Sequence, residues 1–215
     1  MKHLSKLVAV AAALTGLQAQ ALTWSITGGA YSGEAGALHE TFDLLSTDSN
    51  EAIDLSVTGG ALFNASIGGV TARPPGSIGK FLSVGTSGNQ TGPVVIDLSA
   101  MPVSYYGFLW GSPDAYNTIE LHDAMGGSTV LNGTQIFGPN KANGFQGQVQ
   151  GGQYLNFFAD NGQAFTKIVM RSTSNAFETD NHAVLAAVPE PQTYALMAAG
   201  LAAVGFVARR RRAVR

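Results

Sequence analysis

Between Leu22 and Val188 no apolar pattern keeps a 3.6-residue period long enough for a sizeable helix. Short apolar runs alternate instead with Gly, Asn, Asp, Ser and Pro, the residues that make turns. The runs are 23–27, 41–45, 53–57, 61–64, 81–84, 94–98, 105–110, 117–122, 129–131, 154–159, 165–171 and 177–186. Gly59-Gly60, Gly68-Gly69, Arg73-Pro74-Pro75-Gly76, Gly88-Asn89, Gly126-Gly127 and Gly151-Gly152 fall between them. Within Thr118-Ile119-Glu120-Leu121-His122 the two aliphatic residues face one way and the two polar ones the other, the period of a strand. This pattern predicts an all-β body: an antiparallel two-sheet sandwich of jelly-roll type, built from about a dozen short strands. Pro139 to Gly144 reads as a loop, and the Gln/Gly-rich run 146–153 as a loop or an edge hairpin. Neither is long enough to separate two domains.

The two ends of the chain follow other rules. Met1 to Lys6 is basic, residues 7–17 are apolar apart from Thr15, and Ala19-Gln20-Ala21 has the small-residue pattern of a cleavage site. Residues 1–21 are therefore predicted to be a secretory signal peptide, cut after Ala21 by signal peptidase once the Sec translocon has engaged the chain. At the other end, Val188-Pro189-Glu190-Pro191 makes a stiff, extended joint, since proline fixes its own φ and restricts the residue before it. An apolar stretch to Ala208 and the cluster Arg209-Arg210-Arg211-Arg212 follow. The apolar stretch is predicted to be a short transmembrane helix, with the arginines held on the cytoplasmic side. From Tyr194 to Ala208 it would reach about 22 Å at a rise of ~1.5 Å per residue, short of a comfortable span and suited to a transient anchor. The division expected is 1–21 signal peptide, 22–187 exported β-domain and 188–215 sorting segment.

Motif, apolar stretch and arginine cluster, in that order, resemble the PEP-CTERM signal of bacterial exosortase substrates. The resemblance covers Val188 to Arg215. It implies that Pro189, Glu190 and Pro191 are read by an exosortase, a membrane-embedded cysteine protease-like sorting enzyme that removes the helix and the basic end. Within the body, residues 105–118 look like the central motif of a family of exosortase-dependent cyanobacterial and proteobacterial surface proteins. Residues 174–184 resemble the last strand of many PEP-CTERM proteins. No activity comes with either resemblance.

Charge narrows the partners. Residues 22–188 carry Arg73, Lys80, Lys141, Lys167 and Arg171 against thirteen Asp and Glu, so five minus thirteen gives −8, whereas the whole chain has −2. An acidic body without basic patches is a poor partner for nucleic acid or anionic lipid. It contains no cysteine, which excludes disulfides and thiolate metal sites.

Catalytic signatures are missing. There is no G-x-S-x-G elbow, and residues 74–81 echo a P-loop only faintly, with Pro74 where its first glycine belongs and Phe81 where Ser or Thr belongs. His39, His122 and His182 lie at no ligand spacing and read as solvated or hydrogen-bonded surface residues. No enzyme is expected, although paired carboxylates that meet only in the fold leave a polysaccharide-active enzyme open. Two binding features are expected alternatives to plain structure. Tyr105, Trp110 and Tyr116 offer a sugar-stacking platform or, as Tyr106, Phe108 and Trp110 share one strand face, a core. Glu178, Asp180 and Asn181 offer hard oxygens for Ca²⁺, with Glu34 or Asp43 to complete the shell, or else lie on the solvated face of an edge strand. The sequence thus predicts an exported protein, anchored transiently in the inner membrane and then displayed on the surface or in the extracellular matrix. Its role there would be structural or adhesive, in contact with extracellular polysaccharide. The alternative is a lectin-like carbohydrate-binding module.

Overall fold

The computed structural model describes residues 22–43, 52–142, 152–160, 162–188, 197–204 and 209. Among the described residues twelve strands and one short helix make up the body. In chain order they are β1 (Leu22–Gly28), β2 (Leu38–Glu40), β3 (Ser56–Thr58), β4 (Ala61–Phe63), β5 (Phe81–Val84), β6 (Val94–Asp97), β7 (Val103–Trp110), β8 (Asn117–Asp123), β9 (Ser128–Asn132), α1 (Gly133–Phe137), β10 (Gln153–Ala159), β11 (Phe165–Ser172) and β12 (Phe177–Ala186). The body is all-β as the alternation predicts, and every strand pairing is antiparallel.

The ladders fall into two groups. One runs β9-β8-β11-β6-β3. The other runs β1-β10-β7-β12, and β12 pairs along its far edge with β5 and then β2, with β4 outside β5. A single residue pair, Phe165 with Val103, joins the groups through β11 and β7. The strands therefore form one curled antiparallel sheet, where the sequence suggested two separate ones.

Curling lets both groups share one core. Ile96, Ile119, Leu121, Ile168 and Met170 from the first group meet Tyr106, Phe108, Trp110, Phe157 and Phe177 from the second. The alternation read in β8 is realised: Ile119 and Leu121 are fully buried while Thr118, Glu120 and His122 are half-buried. β7 is buried on both faces. Tyr105 and Leu109 point away from the large core into a second cluster with Tyr154 and Ala183, against which Ala30 and Ala37 pack. Between them Gly107 allows a close approach: a Cβ there would lie 2.2 Å from Tyr105 Oη and 2.7 Å from Tyr154 Cε1.

Two local readings change. The run 41–45 is not a strand in its described part, because β2 ends at Glu40. The Glu40 carboxylate accepts the N–H of Phe42 (2.6 Å) and of Leu55 (2.8 Å), and the chain turns at Phe42 with φ 58°. After β9 the chain forms α1, whose Asn132 side chain accepts the N–H of Gln135 while the Gln135 side chain accepts the N–H of Asn132. Residues 139–142 turn, as the cluster of turn formers suggests. Residues 197–204 are helical, and among the described residues no helix is long and apolar enough to cross a membrane. The expected cleavage residues Ala19 and Ala21 lie outside the described residues, as do Pro189, Glu190 and Pro191.

Candidate functional site: a buried polar row on the last strand

β12 reads Phe-Glu-Thr-Asp-Asn-His-Ala from Phe177, and all five polar residues are at most 2 % exposed. Such a row is costly unless it is hydrogen-bonded. β12 lies inside the sheet, with β7 along one edge and β5 and β2 along the other. A bulge places Asn181 and His182 opposite the single residue Phe108, and Asn181 takes the left-handed conformation at φ 47°. The bulge resets the alternation. Glu178 faces the loop of residues 71–72, whereas His182 turns into the core beside Phe42, Tyr106 and Phe108.

Glu178 is satisfied at both oxygens. Oε1 accepts the Ala72 N–H (2.8 Å) and, at 3.5 Å, the Thr71 hydroxyl; Oε2 accepts the Ser112 hydroxyl (2.7 Å). It fastens two loops to the last strand. Burial still raises its pKa, with those hydrogen bonds opposing. His182 meets the Tyr106 hydroxyl through Nδ1 and the Thr179 hydroxyl through Nε2, both at 2.9 Å. Burial pushes its pKa down to about 3, so the imidazole is neutral at pH 7. Asn181 donates to the Ala30 carbonyl (2.7 Å), and its own carbonyl accepts the Tyr154 hydroxyl (2.7 Å).

Two acceptors in the row have no hydrogen-bond partner: Asp180 Oδ2 and Asn181 Oδ1. The other Asp180 oxygen accepts the Asn181 N–H at 2.8 Å. Burial lifts the Asp180 carboxyl to about 7; Asp43 pushes the same way, while Ser77 and Arg73 oppose. Arg73 itself donates to the Gly79 carbonyl (2.7 Å) and the Ser77 hydroxyl (3.3 Å), and also reaches the Asn64 carbonyl. The Asp43 carboxylate accepts the Lys80 N–H at 3.0 Å. The loop of residues 73–80 is thus fixed beside Asp180 by its own charged neighbours.

The three residues expected to hold Ca²⁺ therefore do different things. Glu178, Asp180 and Asn181 are neither on an edge strand nor on a solvated face, and both Glu178 oxygens are taken by protein donors. Among the described residues no three His, Cys, Asp or Glu side chains gather as a metal set. The stacking trio is also divided. Trp110 is fully buried, lying flat on Phe177 at 4.3 Å and edge-on to Phe137 at 5.2 Å. Tyr105 is 1 % exposed on the opposite strand face and donates to Asn156 Oδ1 at 2.8 Å. Tyr116 is half-buried and donates to the Asn175 carbonyl at 2.8 Å. Tyr105 and Trp110 thus offer no ring face to a sugar. His122 meets Glu120 at 3.0 Å on a half-exposed face, but His182 is a core residue that the sequence had placed at the surface.

The body ends where the tail begins. The last hydrogen bond of the sheet region is from Ala187 N–H to the Pro102 carbonyl, 2.8 Å. Residues 187–212 match a family model described as the PEP-CTERM protein-sorting motif. No curated protein and no solved structure matches the chain. The motif implies exosortase as the processing partner, and with it export and sorting to the cell surface.

Proposed function

We propose that this chain is a structural or adhesive component of the bacterial envelope or its extracellular polysaccharide matrix, delivered by exosortase. The observation that carries the proposal is the sorting motif at residues 187–212 directly abutting the last strand. A signal peptide cut after Ala21 by signal peptidase would start the exported chain at Leu22, the first residue of β1. The apolar stretch before the arginines then holds the chain in the inner membrane until exosortase removes it. The body acts without catalysis, as a scaffold whose buried polar row ties the segment from residue 29 to β2 and the loop 71–80 to the sheet. A lectin-like role would have to use rings other than Tyr105 and Trp110.

Replacing Pro189, Glu190 and Pro191 together with alanine tests the sorting step. The variant is expected to be exported and to stay in the inner membrane fraction uncut. Normal surface display of the variant would contradict the proposal.

A further inference from the structure

β1 is an outer strand of unusual character. It pairs with β10, and among the described residues no strand pairs with its other edge. It is seven residues long, against five for β9 and three each for β2, β3 and β4, the other outer strands among the described residues. Residues 23–28 are all exposed, and Trp24 and Ile26, at 40 % and 41 %, stand on the same strand face. Outer strands are ordinarily protected by charge, proline, a bulge or brevity. Leu22–Gly28 has no charged residue and no proline, and its register with β10 is unbroken.

Two further observations select the occupant. First, β1, β10 and β7, three neighbouring strands, contain no charged residue, in a body whose net charge is −8. Two copies of an acidic body repel each other, and an edge backed by three uncharged strands adds no charge of its own to that repulsion. Second, Thr23-Trp24-Ser25-Ile26-Thr27 is symmetric in side-chain class about Ser25. Antiparallel pairing of two β1 strands about a twofold axis through Ser25 sets Trp24 against Ile26 of the second copy, and Ile26 against its Trp24. Thr23 meets Thr27 on the other face. Aromatic with β-branched and Thr with Thr are favourable cross-strand pairs, and such a contact is self-complementary, as a twofold interface requires.

We propose that the free edge of β1 is a self-association site, where a second copy of this chain adds its own β1 in antiparallel register centred on Ser25. This goes beyond the sorting proposal and does not depend on it. A seven-residue strand is about 24 Å long, and an edge contact of that size is smaller than a standard interface of ~800 Å² per partner. Pairing is therefore weak in dilute solution and strengthened where copies are displayed close together.

The test uses the chain as purified from exporting cells, examined by sedimentation across a concentration series. Wild type is expected to show a dimer fraction that rises with concentration. Ser25→Lys and Ser25→Glu place like charges on the twofold axis, and each is expected to weaken dimerisation at least tenfold. An equal mixture of the two is expected to restore it, which a folding defect would not do. Register is read with cysteines, the chain having none of its own. Under mild oxidation Ser25→Cys is expected to form a disulfide-linked dimer. Thr23→Cys alone is expected not to, whereas Thr23→Cys mixed with Thr27→Cys is. A monomer at all concentrations, no recovery on mixing, or equal cross-linking at Thr23 and Ser25 would each overturn the proposal.

Discussion

Replacing Trp110 with alanine is expected to lower the unfolding free energy of the body by about 3–5 kcal/mol. The indole is fully buried where three elements meet: it lies on Phe177 of β12, against Phe108 of its own strand and edge-on to Phe137 of α1. Alanine would leave a cavity lined by rings that belong to different elements and cannot all collapse inward. For a body of this size the melting temperature should fall by roughly 10 °C or more. Trp110→Phe should cost much less, about 1–2 kcal/mol. Phenylalanine keeps the contact with Phe177 and removes Nε1–H, which is buried without a hydrogen-bond partner. Chemical denaturation of the two variants checks the pair. Equal losses for Ala and Phe would show that ring packing is not what this position contributes.

Asp180→Asn is expected to stabilise the protein at pH 8 and to lose that advantage in acid. The folded pKa of Asp180 is raised to about 7, against ~3.9 for an unfolded aspartate. A raised pKa means that the folded state holds the proton more tightly, so the contribution to stability is complete below pH ~4 and is lost as pH rises to about 7. The full loss is about 4 kcal/mol at 1.36 kcal/mol per unit. Asparagine avoids the buried charge but has to seat an NH2 in place of one buried oxygen, leaving a net gain of roughly 2–3 kcal/mol at pH 8. Glu178, also raised by burial, acts in the same direction as Asp180. His182 acts in the opposite one. Its pKa is lowered to about 3, so its contribution is complete above the unfolded value of ~6.5 and is lost as pH falls towards the folded one. In wild type the two slopes oppose between pH ~4 and ~6.5. Removing Asp180 should expose the His182 slope as stability that rises with pH. Denaturation at a series of pH values reads both effects. A variant less stable than wild type at pH 8 would contradict the assignment of a strained, ionised Asp180.

Much of this was legible in the sequence, and the rest was hidden for physical reasons. Strand runs with clear alternation, such as 117–122, fold where they were read, because one face is apolar and the other polar. Phe108 and Trp110 are core, as their spacing implies. The second burial layer was not legible: Tyr105 and Leu109 look like the outward residues of β7 until the loop after β1 covers them. Alternation also failed in β12. A one-residue bulge sends His182 inward, and a period-two reading that groups Glu178, Asp180 and His182 cannot see it. The asparagine at 181 was the available hint, since asparagine tolerates the positive φ it adopts there better than most residues. The helix α1 was missed although Asn132 and Gln135 stand at capping-box spacing; five residues are too few to show a period. Whether the strands form one sheet or two was beyond sequence altogether, because one pair, Phe165 with Val103, makes the ladder continuous.

The most direct test of sorting is the intact mass of the protein taken from the cell surface. Exosortase processing at the motif in residues 187–212 predicts a chain that ends close to Pro189–Pro191, and signal-peptide cleavage after Ala21 one that begins at Leu22. The apolar stretch and Arg209-Arg210-Arg211-Arg212 would then be absent from the surface form. A surface protein whose mass still includes Arg215 would contradict the account.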